Sequence, residues 1–173
     1  MSVQATKNIM NKIRENGEKR EKLKLLGKRV AEHLGVEEIP IEFVALDGED
    51  SRLELKPTPR ILISDHTYIK YEYYSLCIAH EYRHAFQIYW VSFMNDKLAE
   101  VWREELQDAK NSKNIDVNNQ DQYTEYKMQA IEIDAEAFAI YYLRTYEKIN
   151  MTKKEVWLQR LIEAYIRKYG DRL

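Results

Sequence analysis

The stretch IAHEYRHAFQIYW, residues 78–90, places four ionisable side chains inside an otherwise apolar and aromatic segment. These are His80, Glu81, Arg83 and His84. Buried ionisable groups are costly unless a partner satisfies them. The pattern H-E-x-x-H predicts a helix on which residues i and i+4 lie about 40° apart, so both imidazoles can reach one metal ion. Glu81 would flank the open coordination position, where it can take a proton from water.

A structural alternative explains the same residues without a metal. The two histidines would form hydrogen bonds inside the helix, and Glu81 would pair with Arg83 or another neighbour. In either case we expect Arg83 to pair with an acid.

A third metal ligand is expected downstream, in QAIEIDAEAFAIYYL (129–143). On a helical wheel, Glu132 and Glu136 share one face. The other residues of that face are apolar: Met128, Ala135, Ala139 and Leu143. Two acids on a core-facing stripe need a partner, which predicts Glu132 as the metal ligand and Glu136 as an outer acceptor for the second N–H of a ligand histidine. Asp134 lies about 200° away, on the side of Lys127, Tyr141, Thr145 and Lys148, where an acid needs no special explanation.

The surrounding pattern predicts an α+β fold. A first helix is expected over about 5–34, with a candidate interruption near Gly17 and an end at Gly35. Three short strands follow, which we expect to form a small antiparallel sheet. The remainder reads as helical, with the last helix opened by a capping box at Thr152. The predicted strands are 39–46, 51–55 and 60–64; the predicted helices are 72–94, 96–110, 121–149 and 153–169, with a polar loop at 111–120.

Composition is that of a soluble globular chain, with 45% hydrophobic and 32% charged residues in 173. We expect one domain over 1–173, made of a basic helix (1–35), the small sheet (39–64) and a helical part (72–169).

A single cysteine, Cys77, excludes an internal disulfide and favours a reducing compartment. The N-terminus lacks the pattern of a signal peptide and no run reaches membrane-spanning length. The chain is therefore expected to be cytoplasmic and to have no membrane partner.

The basic residues are concentrated at the N-terminus. Residues 1–30 contain nine Lys or Arg and three Glu, although the whole chain has a net charge of −2. A basic helix can bind nucleic acid, but more often it is a solvated face with i,i+4 pairs such as Glu18–Lys22. Nucleic acid is therefore an unlikely partner.

The two motifs resemble those of the ImmA/IrrE-like group of zincin metallopeptidases. HEYRH is followed by Glu132-x-x-Ala135-Glu136-x-Phe138-Ala139, similar to that group's E-x-x-A-N/D-x-F-A. Glu136 departs from the Asn or Asp usual there. The likeness covers roughly 39–145 and leaves the first and last helices unmatched.

The resemblance implies a zincin-like fold in which His80, His84 and Glu132 hold Zn²⁺ and Glu81 is the general base. The expected activity is zinc-dependent peptide-bond hydrolysis by zinc-activated water, on a peptide or protein substrate, with a regulator protein as a further possible partner. The resemblance also implies an edge strand that pairs with extended substrate, which we assign to 60–64. The alternative is a non-catalytic zinc-binding regulatory or interaction module.

Overall fold

The computed structural model describes residues 3–66, 69–111 and 119–173. The chain has the predicted α+β order: a long helix, a three-stranded sheet, then further helices. It divides into two compact units, residues 1–82 and 83–173. The one-domain expectation stays a prediction, and most of the predicted loop 111–120 lies outside the described residues. No helix in the described ranges is both long and apolar enough to cross a membrane.

Helix α1 (Val3–Leu34) forms much of the first unit. It runs through Gly17 without interruption and stops at Gly35, whose φ of +67° is readily adopted only by glycine. The N–H of Val36 returns to the carbonyl of Ala31 at 3.1 Å, a bond typical of a Schellman ending. The predicted stop is therefore confirmed, together with its mechanism.

The sheet consists of β1 (Ile41–Val44), β2 (Ser51–Glu54) and β3 (Arg60–Ser64), in the order β1-β3-β2. The three strands were predicted, but their order in the sheet was not, and their predicted direction differs from the observed one. β1 pairs with β3 in parallel and β2 pairs with β3 antiparallel, so the expected fully antiparallel sheet is wrong. β3 is the central strand, with Ile61 and Ile63 fully buried. The expectation that 60–64 is an exposed edge for substrate is therefore also wrong.

Helix α2 (Tyr71–Phe93) follows the sheet and contains the H-E-x-x-H motif. Its predicted limits, 72–94, are confirmed to within one residue. In the first unit, the hydroxyl of Tyr82 accepts from the N–H of Ile39 at 3.0 Å and donates to its carbonyl at 2.9 Å. These two bonds tie α2 to the segment that enters β1.

The second unit contains four further helices: α3 (Lys97–Asn111), α4 (Gln120–Lys127), α5 (Ala130–Tyr142) and α6 (Val156–Tyr169). A π-helical turn, Leu143–Glu147, extends α5. The prediction of a single helix over 121–149 is therefore wrong, because residues 128–129 form a turn that separates α4 from α5. The capping box at Thr152 is also wrong: α6 begins at Val156, and its N-cap Glu155 forms no side-chain cap.

The start of α5 is held by a residue of α3. The Glu105 carboxylate accepts from the N–H groups of Ala130 and Ile131, both at 2.8 Å. These N–H groups have no partner within their own helix, and the helix N-terminus favours a negative charge. Glu105 thereby fixes where α5 begins and how its following acids, Glu132 among them, are placed.

Candidate metal centre

His80, His84 and Glu132 come together as the sequence predicts. The two histidines lie one turn apart on α2, and Glu132 lies in the first turn of α5. One ligand atom from each residue can be chosen so that all three lie within 4.8 Å of one another. The described residues thus contain a His-His-Glu group close enough to hold a metal ion.

The contact between His84 and Glu132 requires a proton or a metal ion between its two atoms. Nε2 of His84 lies 3.2 Å from Oε1 of Glu132, and the Glu132 side chain is almost fully buried. An unprotonated ring nitrogen and a carboxylate oxygen are both acceptors, so their lone pairs repel at this distance. The contact is favourable only if a proton or a metal ion lies between them.

Lys127 lies beside both Glu132 and Glu136, and Lys153 lies beside Glu136. Nζ of Lys127 is 3.5 Å from Oε2 of Glu132 and 3.4 Å from Oε1 of Glu136, and Nζ of Lys153 is 2.5 Å from Oε2 of Glu136. Burial alone would lower the pKa of Lys127, but the Glu132 and Glu136 carboxylates outweigh it and the pKa lies above its usual value. Lys127 therefore stays charged and partly neutralises both buried acids.

The outer role proposed for Glu136 stays a prediction. The Nδ1 atom of His84 contacts a different residue, Oε1 of Gln87, at 2.8 Å. Gln87 was not selected from the sequence. Its position three residues after His84, on the same helix face, was the available signal.

Glu81 is buried beside the first histidine, and its Oε1 atom accepts from the hydroxyl of Ser51 at 2.7 Å. Ser51 is the first residue of β2, thirty positions earlier, so its contribution could not be read from local spacing. Arg83 does pair with an acid, as expected. The acid is Asp134, not the Glu81 partner of the structural alternative.

Asp134 corrects the helical-wheel prediction. It is only 1% exposed and accepts a bidentate pair from Arg83, with Nε at 2.7 Å and Nη2 at 3.1 Å. Gln87 and Tyr165 donate to the same carboxylate at 2.8 and 3.0 Å. Burial, with Asp134 close by, raises the pKa of Tyr165, which keeps its hydroxyl protonated as a donor. The face on which an acid was expected to need no explanation is a buried polar network.

Comparison of the chain with protein-family models, with curated proteins and with solved structures gives no match. The likeness to zincins therefore rests on the two motifs and on the grouping of His80, His84 and Glu132.

Proposed function

We propose that this protein is a zinc-dependent metallopeptidase in which His80, His84 and Glu132 bind the metal and Glu81 is the general base. The observation that carries the proposal is the His-His-Glu group, with a glutamate directly after its first histidine. Two histidines and one carboxylate are a donor set typical of catalytic zinc, which keeps a further position open for water or substrate.

The distance between His84 and Glu132 suits zinc. Zinc–ligand bonds of about 2.0–2.1 Å in a tetrahedral arrangement separate neighbouring ligand atoms by about 3.3 Å. The separation between Nε2 of His84 and Oε1 of Glu132 is 3.2 Å. Bound there, zinc would supply a Lewis acid that lowers the pKa of water to about 7 and polarises a carbonyl group.

The residues around the group have separate tasks. Ser51 holds Oε1 of Glu81, which leaves Oε2 as the oxygen that takes the proton from water and returns it to the leaving amine. Lys127 holds Oε2 of Glu132 and keeps its Oε1 turned to the histidines. A purely structural zinc site has no use for an acid beside an open position, which favours catalysis over the non-catalytic module.

The substitution Glu81→Gln tests this function because it keeps the shape of the side chain and removes its proton-accepting ability. We expect the variant to retain zinc and thermal stability, and to lose about 10²–10⁴-fold in chelator-sensitive cleavage of unfolded, fluorescently labelled proteins. Glu32→Gln, an exposed change of the same type on α1, is the matched control and should cleave like the wild type.

Equal, chelator-sensitive cleavage by wild type and Glu81→Gln would overturn the assignment of Glu81. Loss of zinc from Glu81→Gln would make Glu81 a structural contact. A wild-type protein that carries zinc but cleaves no member of a broad peptide library would support the alternative, a zinc-binding regulatory or interaction module.

A further inference from the structure

Gln87 is fully buried, although it has a polar side chain on a mostly apolar helix. It lies between His84, one turn earlier on α2, and Asp134 on α5. Its amide makes three hydrogen bonds, to His84, Asp134 and the backbone of Ile131. A buried amide with so many partners has little freedom to rotate, and its orientation determines what each neighbour must do.

The neighbours of Gln87 fix which end of its amide faces His84. Nε2 donates to the carbonyl oxygen of Ile131 at 2.9 Å and to Oδ2 of Asp134 at 2.8 Å. A peptide carbonyl and an ionised carboxylate only accept, so the NH₂ group must face both. The amide oxygen therefore faces Nδ1 of His84 at 2.8 Å, and that nitrogen must carry the proton.

We propose that Gln87 is a positioning residue that holds the His84 proton on Nδ1 and so presents the lone pair of Nε2 to the metal. The inference deepens the proposed function and rests on its metal-binding part. Neutral imidazole has one N–H and one lone pair, so a proton held on Nδ1 leaves Nε2 as the ligand atom.

The Glu132 carboxylate is the reason that the proton position on His84 has to be fixed. Glu132 lies 3.2 Å from Nε2, and without an acceptor at Nδ1 it would draw the proton of a neutral ring onto Nε2. A metal ion would then have to displace that proton. Gln87 opposes this by giving Nδ1–H a buried acceptor, a role that outer residues commonly have toward metal-binding histidines.

The rest of the buried network keeps Gln87 in this orientation. Asp134 is gripped by both nitrogens of Arg83 and by the hydroxyl of Tyr165. It cannot turn away, so its Oδ2 continues to hold the NH₂ group of Gln87. The C-terminal half of α2 therefore acts together with α5 and α6 to set the proton position on the His84 ring.

The wild-type protein provides the first test and needs no substitution. At a pH at which the His84 ring is neutral, ¹⁵N-labelled histidine in the metal-free protein should show the ring proton on Nδ1. Hydrogen bonding should protect this proton from exchange. A neutral His84 ring with its proton on Nε2 would overturn the proposal.

Substitutions of Gln87 provide the second test, read as affinity for Zn²⁺ alone in competition with a chromophoric chelator. Gln87→Met keeps the volume and removes the acceptor, so affinity should fall about 10–100-fold. In metal-free Gln87→Met, the proton of a neutral His84 ring should move from Nδ1 to Nε2, a change that lost packing alone would not produce. Gln107→Met, at an exposed position of α3, is the control and should bind zinc like wild type.

Two outcomes of the second test would overturn the proposal. Gln87→Met could bind zinc as tightly as wild type, or it could bind zinc more weakly while its neutral His84 ring keeps the proton on Nδ1, which would indicate packing in place of hydrogen bonding. The proton position is measured without metal or substrate. A chain with Nδ1–H on His84 but no peptidase activity would therefore refute only the proposed function, and an active zinc enzyme with the proton on Nε2 would refute only this inference.

Discussion

The Asp134 carboxylate accepts four hydrogen bonds from three side chains while it is almost completely shielded from water. Its partner Arg83 is also buried and lies against the rings of Phe86 and Phe138. Removing one member of a buried ion pair leaves the other charged and uncompensated, which costs more than the pair itself contributes. The free energy of unfolding should therefore be sensitive to the loss of either charged group, the Asp134 carboxylate or the Arg83 guanidinium.

The substitution Asp134→Asn should lower the free energy of unfolding by about 3–5 kcal/mol, because Arg83 keeps its charge and loses its counter-ion. Urea denaturation followed by circular dichroism measures the change. Glu49→Gln is the matched control, since it breaks an exposed pair with Arg52 and should cost less than about 1 kcal/mol. Equal stability of Asp134→Asn and wild type would show that this buried pair contributes nothing.

The site shows which residues sequence reasoning can find. His80, Glu81 and His84 follow from local spacing, and Glu132 follows from its place on an apolar stripe. The same wheel misplaced Asp134 because α5 is buried on nearly every side, so no face was left for solvent. Ser51 was missed because a hydrogen-bond partner on another element has no signature in spacing. Gln87 was missed although its position three residues after His84 on the same helix was a usable signal.

Among the elements, α1 contains two glycines in different surroundings. A Cβ at Gly17 would meet nothing within 4 Å. A Cβ at Gly27 would lie 2.5 Å from Cδ1 of Ile41 and 3.1 Å from Cε2 of Tyr82. Gly27 is therefore the point where the first helix comes close to β1 and α2, while Gly17 is an ordinary helical position.

Replacing each glycine by alanine should shift stability in opposite directions. Gly17→Ala should stabilise the protein by about 0.5–1 kcal/mol, because alanine loses less backbone entropy in a helix. Gly27→Ala should destabilise it by about 1–3 kcal/mol, because the buried Tyr82 ring, held by its two hydrogen bonds to Ile39, cannot move away from the new methyl group. This cost outweighs both the small shift of the Ile41 side chain and the gain in helix propensity. Thermal unfolding of the two variants side by side measures both, and a stabilising Gly27→Ala would contradict the close packing.

Element types were more predictable than element neighbours. Alternation and apolar runs located all three strands, and the near-continuous apolar run of β3 fits a strand covered on both faces. Strand order depends on pairing across the sheet, which alternation does not report. The break between α4 and α5 was similarly hidden, since the cap on α5 comes from Glu105, 25 residues away.

At the scale of the whole chain, the candidate ligands couple metal binding to folding. His84 and Glu132 are 48 positions apart, so an unfolded chain does not hold them at 3.2 Å. A ligand that binds the native state and not the unfolded state stabilises the native state by mass action. The same logic applies to a zinc ion held by the three groups, whatever reaction follows.

Zinc should therefore raise the melting temperature of the metal-stripped protein in proportion to the logarithm of its concentration. The gain is about 2.7 kcal/mol at a free concentration 100 times the dissociation constant. Glu132→Ala should abolish this shift, because one of three ligands is lost. Asp134→Asn should start from a lower melting temperature and still respond to zinc, because Asp134 is outside the ligand group. Its response should be weaker than that of wild type only to the extent that Gln87 loses its hold on His84. Calorimetry with and without zinc separates these effects. A full zinc response in Glu132→Ala, with none in Asp134→Asn, would reverse the roles assigned to the two acids.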